Sequence, residues 1–180
     1  MYQRYVATAA FLLFAFPALA EIEKIAFACG QQVCFRWWPK LQAVPNWGHD
    51  RDHSLHYNFN ALAPVGTTFA TAETVMYANA IYKARVPEEK SLPDFIEGDL
   101  QKFRVESPGL LVETGKQLRT ASGKTGESHL LKPTGNGQWE RVAYFEEGDY
   151  YVVFVVSSRT ESGLHKATLA FEALVSGYRE

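Results

Sequence analysis

The stretch WERVAYFEEGDYYVVFVVSS, residues 139–158, constrains the fold more than any other part of this 180-residue chain. Two runs, Trp139 to Glu146 and Tyr150 to Ser157, are rich in Val, Phe and Tyr and flank a short Glu-Gly-Asp turn. Aromatic and β-branched runs on either side of a glycine turn form an antiparallel hairpin. A sheet must therefore exist. VMYANAIYKARV, from Val75, suits its centre. Val75, Tyr77, Asn79 and Ile81 on one face, and Met76, Ala78, Ala80 and Tyr82 on the other, are both largely apolar, as in a strand covered on both sides.

The cover is expected from two helices. In SLPDFIEGDLQKF, Ser91 can cap the helix and Pro93 and Asp94 suit its first turn. Leu92, Phe95, Ile96, Leu100 and Phe103 recur at helical spacing, and Ser107-Pro108-Gly109 ends the run. The segment from about Gly163 to Tyr178 puts Leu164, Ala167, Thr168, Phe171, Leu174, Val175 and Tyr178 on one side, an amphipathic helix for the sheet. Residues 110–131 read as a strand pair around Ser122-Gly123. From His53 onward, Leu55, Tyr57, Phe59 and Ala61 alternate with Ser54, His56, Asn58 and Asn60, which predicts another strand after a loop punctuated by Pro39, Pro45 and Gly48. Strands, helix, strands, helix without internal repeats gives an α+β class: an antiparallel β-sheet flanked by a few α-helices, one domain over residues 21–180.

Residues 1–20, MYQRYVATAAFLLFAFPALA, have the build of a signal peptide: Arg4, an apolar run from Val6 to Phe16, Pro17, then Ala18-Leu19-Ala20 as the cleavage site. The run is short for a bilayer span, and no later stretch is long and apolar enough to serve as one. Export to the periplasm or beyond is the expectation, with no stable membrane span after signal removal. It fits Cys29 and Cys34, which in an oxidising compartment form a structural disulfide across two short strands joined by Gly30-Gln31-Gln32-Val33. The spacing is not the C-x-x-C of thiol oxidoreductases. With 18 Lys and Arg against 20 Asp and Glu, a formal charge of −2 and no basic run, nucleic acid is not an expected partner.

Candidate chemistry concentrates in NWGHDRDHSLHYNFN, residues 46–60, which holds His49, His53 and His56 among Asp50 and Asp52, the ligand vocabulary of zinc. On a helix the three imidazoles would share a face. On the expected strand His53 and His56 point oppositely, leaving at most an adventitious site that uses His49 with Asp50 or Asp52. SGKTGES lacks the upstream glycine of a phosphate loop, since that position is Leu118, and no G-x-S-x-G elbow occurs. No cofactor and no catalytic residue is assigned. In RWWPK, Trp38 is expected on the face away from Phe35 and Trp37, either resting under a loop with its indole satisfied or marking a partner contact.

The hairpin leading into RWWPKLQAVPNW, the helix SLPDFIEGDLQKF, the hairpin at 139–158 and the closing ATLAFEALVSGY together resemble the PsbP-like and Mog-like superfamily of small α/β/α sandwiches. The resemblance covers nearly all of residues 21–180 in order of elements. It implies a non-enzymatic binding protein, and the export signal fits the superfamily's bacterial envelope branch. The leading expectation is an exported periplasmic, non-catalytic binding domain that engages an envelope protein or a small ligand through a cleft beside the sheet. The alternatives are a metal-assisted hydrolase using the His-rich 49–56 segment and a purely structural envelope component.

Overall fold

A computed structural model describes residues 22–180; the expected signal, residues 1–20, lies outside the described residues. The elements run β1 (Ile22–Cys29), β2 (Gln32–Pro39), β3 (Trp47–His49), α1 (Arg51–Tyr57), β4 (Asn60–Pro64), β5 (Thr74–Tyr82), a 3-10 turn (Lys83–Arg85), α2 (Leu92–Glu106), β6 (Leu111–Thr114), β7 (Leu118–Arg119), β8 (Thr125–Lys132), β9 (Trp139–Glu147), β10 (Tyr150–Ser158) and α3 (Glu161–Gly177). All pairings are antiparallel, and the sheet order is β1-β2-β5-β10-β9-β8-β6, with β4 also on β5, β3 on β4 and β7 on β8.

The β9–β10 hairpin is the centre of the molecule. Glu147 pairs with Tyr150 across Gly148-Asp149, and Gly148 takes φ +51°, a left-handed conformation glycine adopts without strain. Alternation then sorts the side chains: Val142, Tyr144, Tyr151, Val153 and Val155 go to one face, Ala143, Phe145, Val152, Phe154 and Val156 to the other. The first face packs on α2, which Ser91 caps by accepting from Asp94 N, and which buries Phe95, Ile96 and Leu100. The second packs on α3, capped by Thr160, which buries Leu164, Ala167, Phe171, Leu174 and Val175. Gly163 allows α3 to start close to the sheet: a Cβ there would lie 2.3 Å from Ser158 Oγ. The result is an α+β sandwich with α2 packed on one side of the sheet and α3 on the other.

Three expectations change. The segment from His53 is a helix, α1, followed by β4. Asp50 caps α1 by accepting from His53 N, and Asn58 ends it in the left-handed region at φ 76°. These two caps outweigh an alternation that was not reporting burial, since Leu55 and Tyr57 are 46% and 47% exposed and Ser54 is the buried side chain. The β1–β2 loop has two residues, not four. Cys29 pairs with Gln32 across Gly30-Gln31, so Cys34 lies diagonally from Cys29 on the same face, disulfide-bonded at a Cα–Cα distance of 5.9 Å. Residues 110–131 supply three strands, with β6 and β7 both pairing with β8. Trp38 is 4% exposed, and among the described residues its Nε1 has no hydrogen-bond partner.

Candidate functional site

The cover provided by α2 stops short of one end of the sheet. There Val75 of β5, Ser157 of β10 and Glu140 of β9 stand abreast, with Tyr77, Val155 and Val142 in the next row inward. Glu140 and Ser157 occupy positions that the period-two pattern assigns to the packed face. Over them opens a cleft of about 430 Å³.

Aromatic rings wall the cleft. His53, Tyr57, Phe59 and Tyr77 form a stack with successive centroid distances of 6.1, 5.8 and 4.3 Å, and Phe69 leans across it 5.1 Å from Phe59. The helical turn of α1 is what places His53 above Tyr57, four residues apart on one face. Asp50 joins the wall together. Its Oδ1 accepts from His53 N at 3.2 Å and its Oδ2 from Phe69 N at 2.8 Å, while His53 Nδ1 lies 2.8 Å from Oδ2, close enough for an ion pair but off the line of a hydrogen bond. Burial alone would raise the Asp50 pKa; the backbone N–H of Phe69 and the two groups of His53 more than offset this and hold it low. Arg159 fixes the far side of the loop by donating to the carbonyls of Thr71 and Ala72 at 3.0 and 2.6 Å.

The floor is acidic. Burial pushes the Glu140 carboxyl up, Ser157 across the strand pair opposes this, and Asp99 and Glu106 on α2 add to the rise. Asp99 is raised chiefly by burial, against the hydrogen bond Tyr144 donates to it at 2.9 Å and the charge of Lys102. The phenols of Tyr77 and Tyr144 are raised by the same desolvation and the same carboxylates. No Lys or Arg among the described residues forms an ion pair with Glu140 or Asp99. Such a site can hold a flat or apolar body along its rings and meet a hydrogen-bond donor at its floor.

A recess of about 460 Å³ on the α3 side has the opposite character. It contains Lys116, Lys132, Arg141 and His165 around Trp139, but Lys116 and Arg141 both pair with Glu172 at 2.8 Å and Lys132 pairs with Glu113 at 2.7 Å. Each of its lysines and its arginine already touches a carboxylate, Glu172 being shared by two of them.

The three histidines part. His49 lies on β3 and its Nδ1 bonds Asn60 Oδ1 at 3.2 Å, His53 faces Asp50, and His56 sits edge-on against Tyr57. Among the described residues no group of three or more His, Cys, Asp or Glu is arranged to hold a metal ion. Trp38 lines a small hollow with His49, Ser54 and Asn60, away from the cleft. Lys124 of the Gly-Lys-Thr turn pairs with Glu180 at 2.8 Å, a structural tie between the β7–β8 turn and the chain end. The sequence reading missed Glu140, although a charged residue in step with Val142 and Tyr144 was the signal for it. Phe69 carried no such signal, because its place depends on Asp50 across nineteen residues.

No family model matches the chain, and no curated protein matches it in sequence. Among solved structures it is similar to PA94, a Pseudomonas aeruginosa protein of unknown function, at 9% identity over 83% of this chain and 92% of that one, with a TM-score of 0.45. A likeness of that size assigns neither family nor activity.

Proposed function

We propose that the chain is an exported periplasmic, non-catalytic binding domain of the PsbP-like and Mog-like kind, and that the aromatic cleft takes a small ligand. The observation that carries this reading is the cleft itself. Four rings and a desolvated carboxyl gather at one end of a sheet face that is otherwise packed as core. Pockets of this size with apolar walls and a few placed polar groups are where small molecules bind. The signal-like residues 1–20 and the disulfide pair support export.

Thermal-shift screening of a metabolite library against protein recovered from the periplasm tests the cleft. Stabilising compounds whose effect disappears in Phe69→Ala are expected; stabilisers that act equally on that variant, or turnover of any of them, would overturn the reading. N-terminal sequencing tests the compartment, with Glu21 as the expected first residue.

A further inference from the structure

Taking the cleft as a ligand site, as proposed above, we infer that its ligand is an organic cation: a protonated amine or quaternary ammonium on a flat or apolar body. Charge balance is the first argument. Among the described residues Glu73 and Glu140 line the cleft against one guanidinium, that of Arg159, which keeps its charge while donating to the Thr71 and Ala72 carbonyls, so the lining is net negative by one charge. Behind the floor, Asp99 and Glu106 of α2 add negative charge that reaches Glu140, and Lys102 acts on Asp99 from solvent.

The second argument is what that balance excludes. A half-buried carboxylate is costly unless a cation or several donors meet it, and Glu140, at the cleft floor, has Ser157 across the strand pair and, among the described residues, no ion-pairing Lys or Arg. An anionic ligand would add to that cost, and a neutral one would leave it unrelieved. A cation relieves it, and the rings of Tyr57, Phe59, Phe69 and Tyr77 are the surface against which the rest of such a molecule rests, with the negative π-faces favouring positive charge. The basic recess beside α3 offers the contrast: there each Lys and Arg already touches a carboxylate, Lys116 and Arg141 sharing Glu172 and Lys132 meeting Glu113, whereas Glu140 in the cleft forms no ion pair among the described residues.

The test uses protein purified from the periplasm and three probes of one shape: benzylamine, benzyl alcohol and benzoate, titrated by NMR. The amine should bind at least tenfold tighter than the alcohol, with benzoate weakest. Glu140→Gln should abolish the advantage of the amine while leaving alcohol affinity within twofold, and Phe69→Ala should weaken both. Equal or tighter binding of the alcohol or benzoate, or an amine preference that survives Glu140→Gln, overturns the cationic assignment. If Phe69→Ala still weakens those ligands, the cleft itself stands. Failure of all three probes to perturb cleft residues overturns the cation and the cleft together.

Discussion

The two faces of the sheet are built from alternate residues of the same strands, and they differ in what they bury. Toward α3 the side chains of Phe145, Phe154, Phe171, Leu174 and Tyr178 close almost completely over one another, with Phe154 and Tyr178 edge-to-face at 5.2 Å. Toward α2 the same period-two rule delivers Phe95 stacked on Tyr151 at 4.5 Å, but also Glu140, Ser157, Tyr77 and Tyr144, with Asp99 brought in by the helix. Carboxyl groups in such a place cost stability, whereas apolar residues of similar volume would add it. One face is thus spent on holding the fold, and the other gives up part of that stability to keep a polar floor.

The comparison can be broken most forcefully from the α3 side. Phe171 is fully buried, so Phe171→Ala should cost about 3–5 kcal/mol in urea denaturation, while Phe69→Ala, at the half-buried cleft wall, should cost less than half as much. Similar losses at both positions would mean that the faces are not divided as described.

A smaller effect is expected at Asp50, which caps α1 and holds Phe69. Asp50→Ala should lose about 1–2 kcal/mol, the usual cost of an N-cap, and should also speed hydrogen exchange at the Phe69 amide. Unchanged exchange there would detach the loop from the cap.

The pH profile sharpens the contrast further. Glu140 and Asp99 have raised pKa values, so between the ordinary carboxylate range and those values the native state binds more protons than the unfolded chain. Stability from these two groups therefore grows as pH falls through that window. Asp50, Glu172 and Glu180 are lowered: burial opposes the shift in each, but their donors and neighbouring cations outweigh it. Their contribution is present above the ordinary range and is lost on further acidification. The melting temperature should pass through a maximum at mildly acid pH, and its fall toward neutrality should flatten in the Glu140→Gln, Asp99→Asn double variant. An unaltered slope in that variant would place the titrating groups elsewhere.

How much of this could be read in the sequence follows from the range of the forces involved. The β9–β10 hairpin, the central β5, α2 and α3 were legible because hydrophobic periodicity and local caps such as Ser91 act within a few residues. The 53–61 segment was misread because exposed Leu55 and Tyr57 imitate alternation, and the decisive signals, Asp50 and Asn58, are two polar residues at its ends. The histidines drew attention by type, yet helix formation did not unite them, since His49 precedes the cap and belongs to β3. The cleft was the least legible feature. Its wall comes from α1, the 65–73 loop and β5, its floor from β9 and β10, and only tertiary contacts such as Asp50 to Phe69 bring them together.

Urea denaturation of Glu140→Gln at neutral pH is the most direct test of the claim that this acidic floor is kept at the expense of stability. The variant should be as stable as the natural chain or more so, by up to about 1 kcal/mol, because a desolvated charge is removed at constant volume. A loss of about 1 kcal/mol or more would show that Glu140 holds the fold together, and that the two faces of the sheet are not divided between stability and binding.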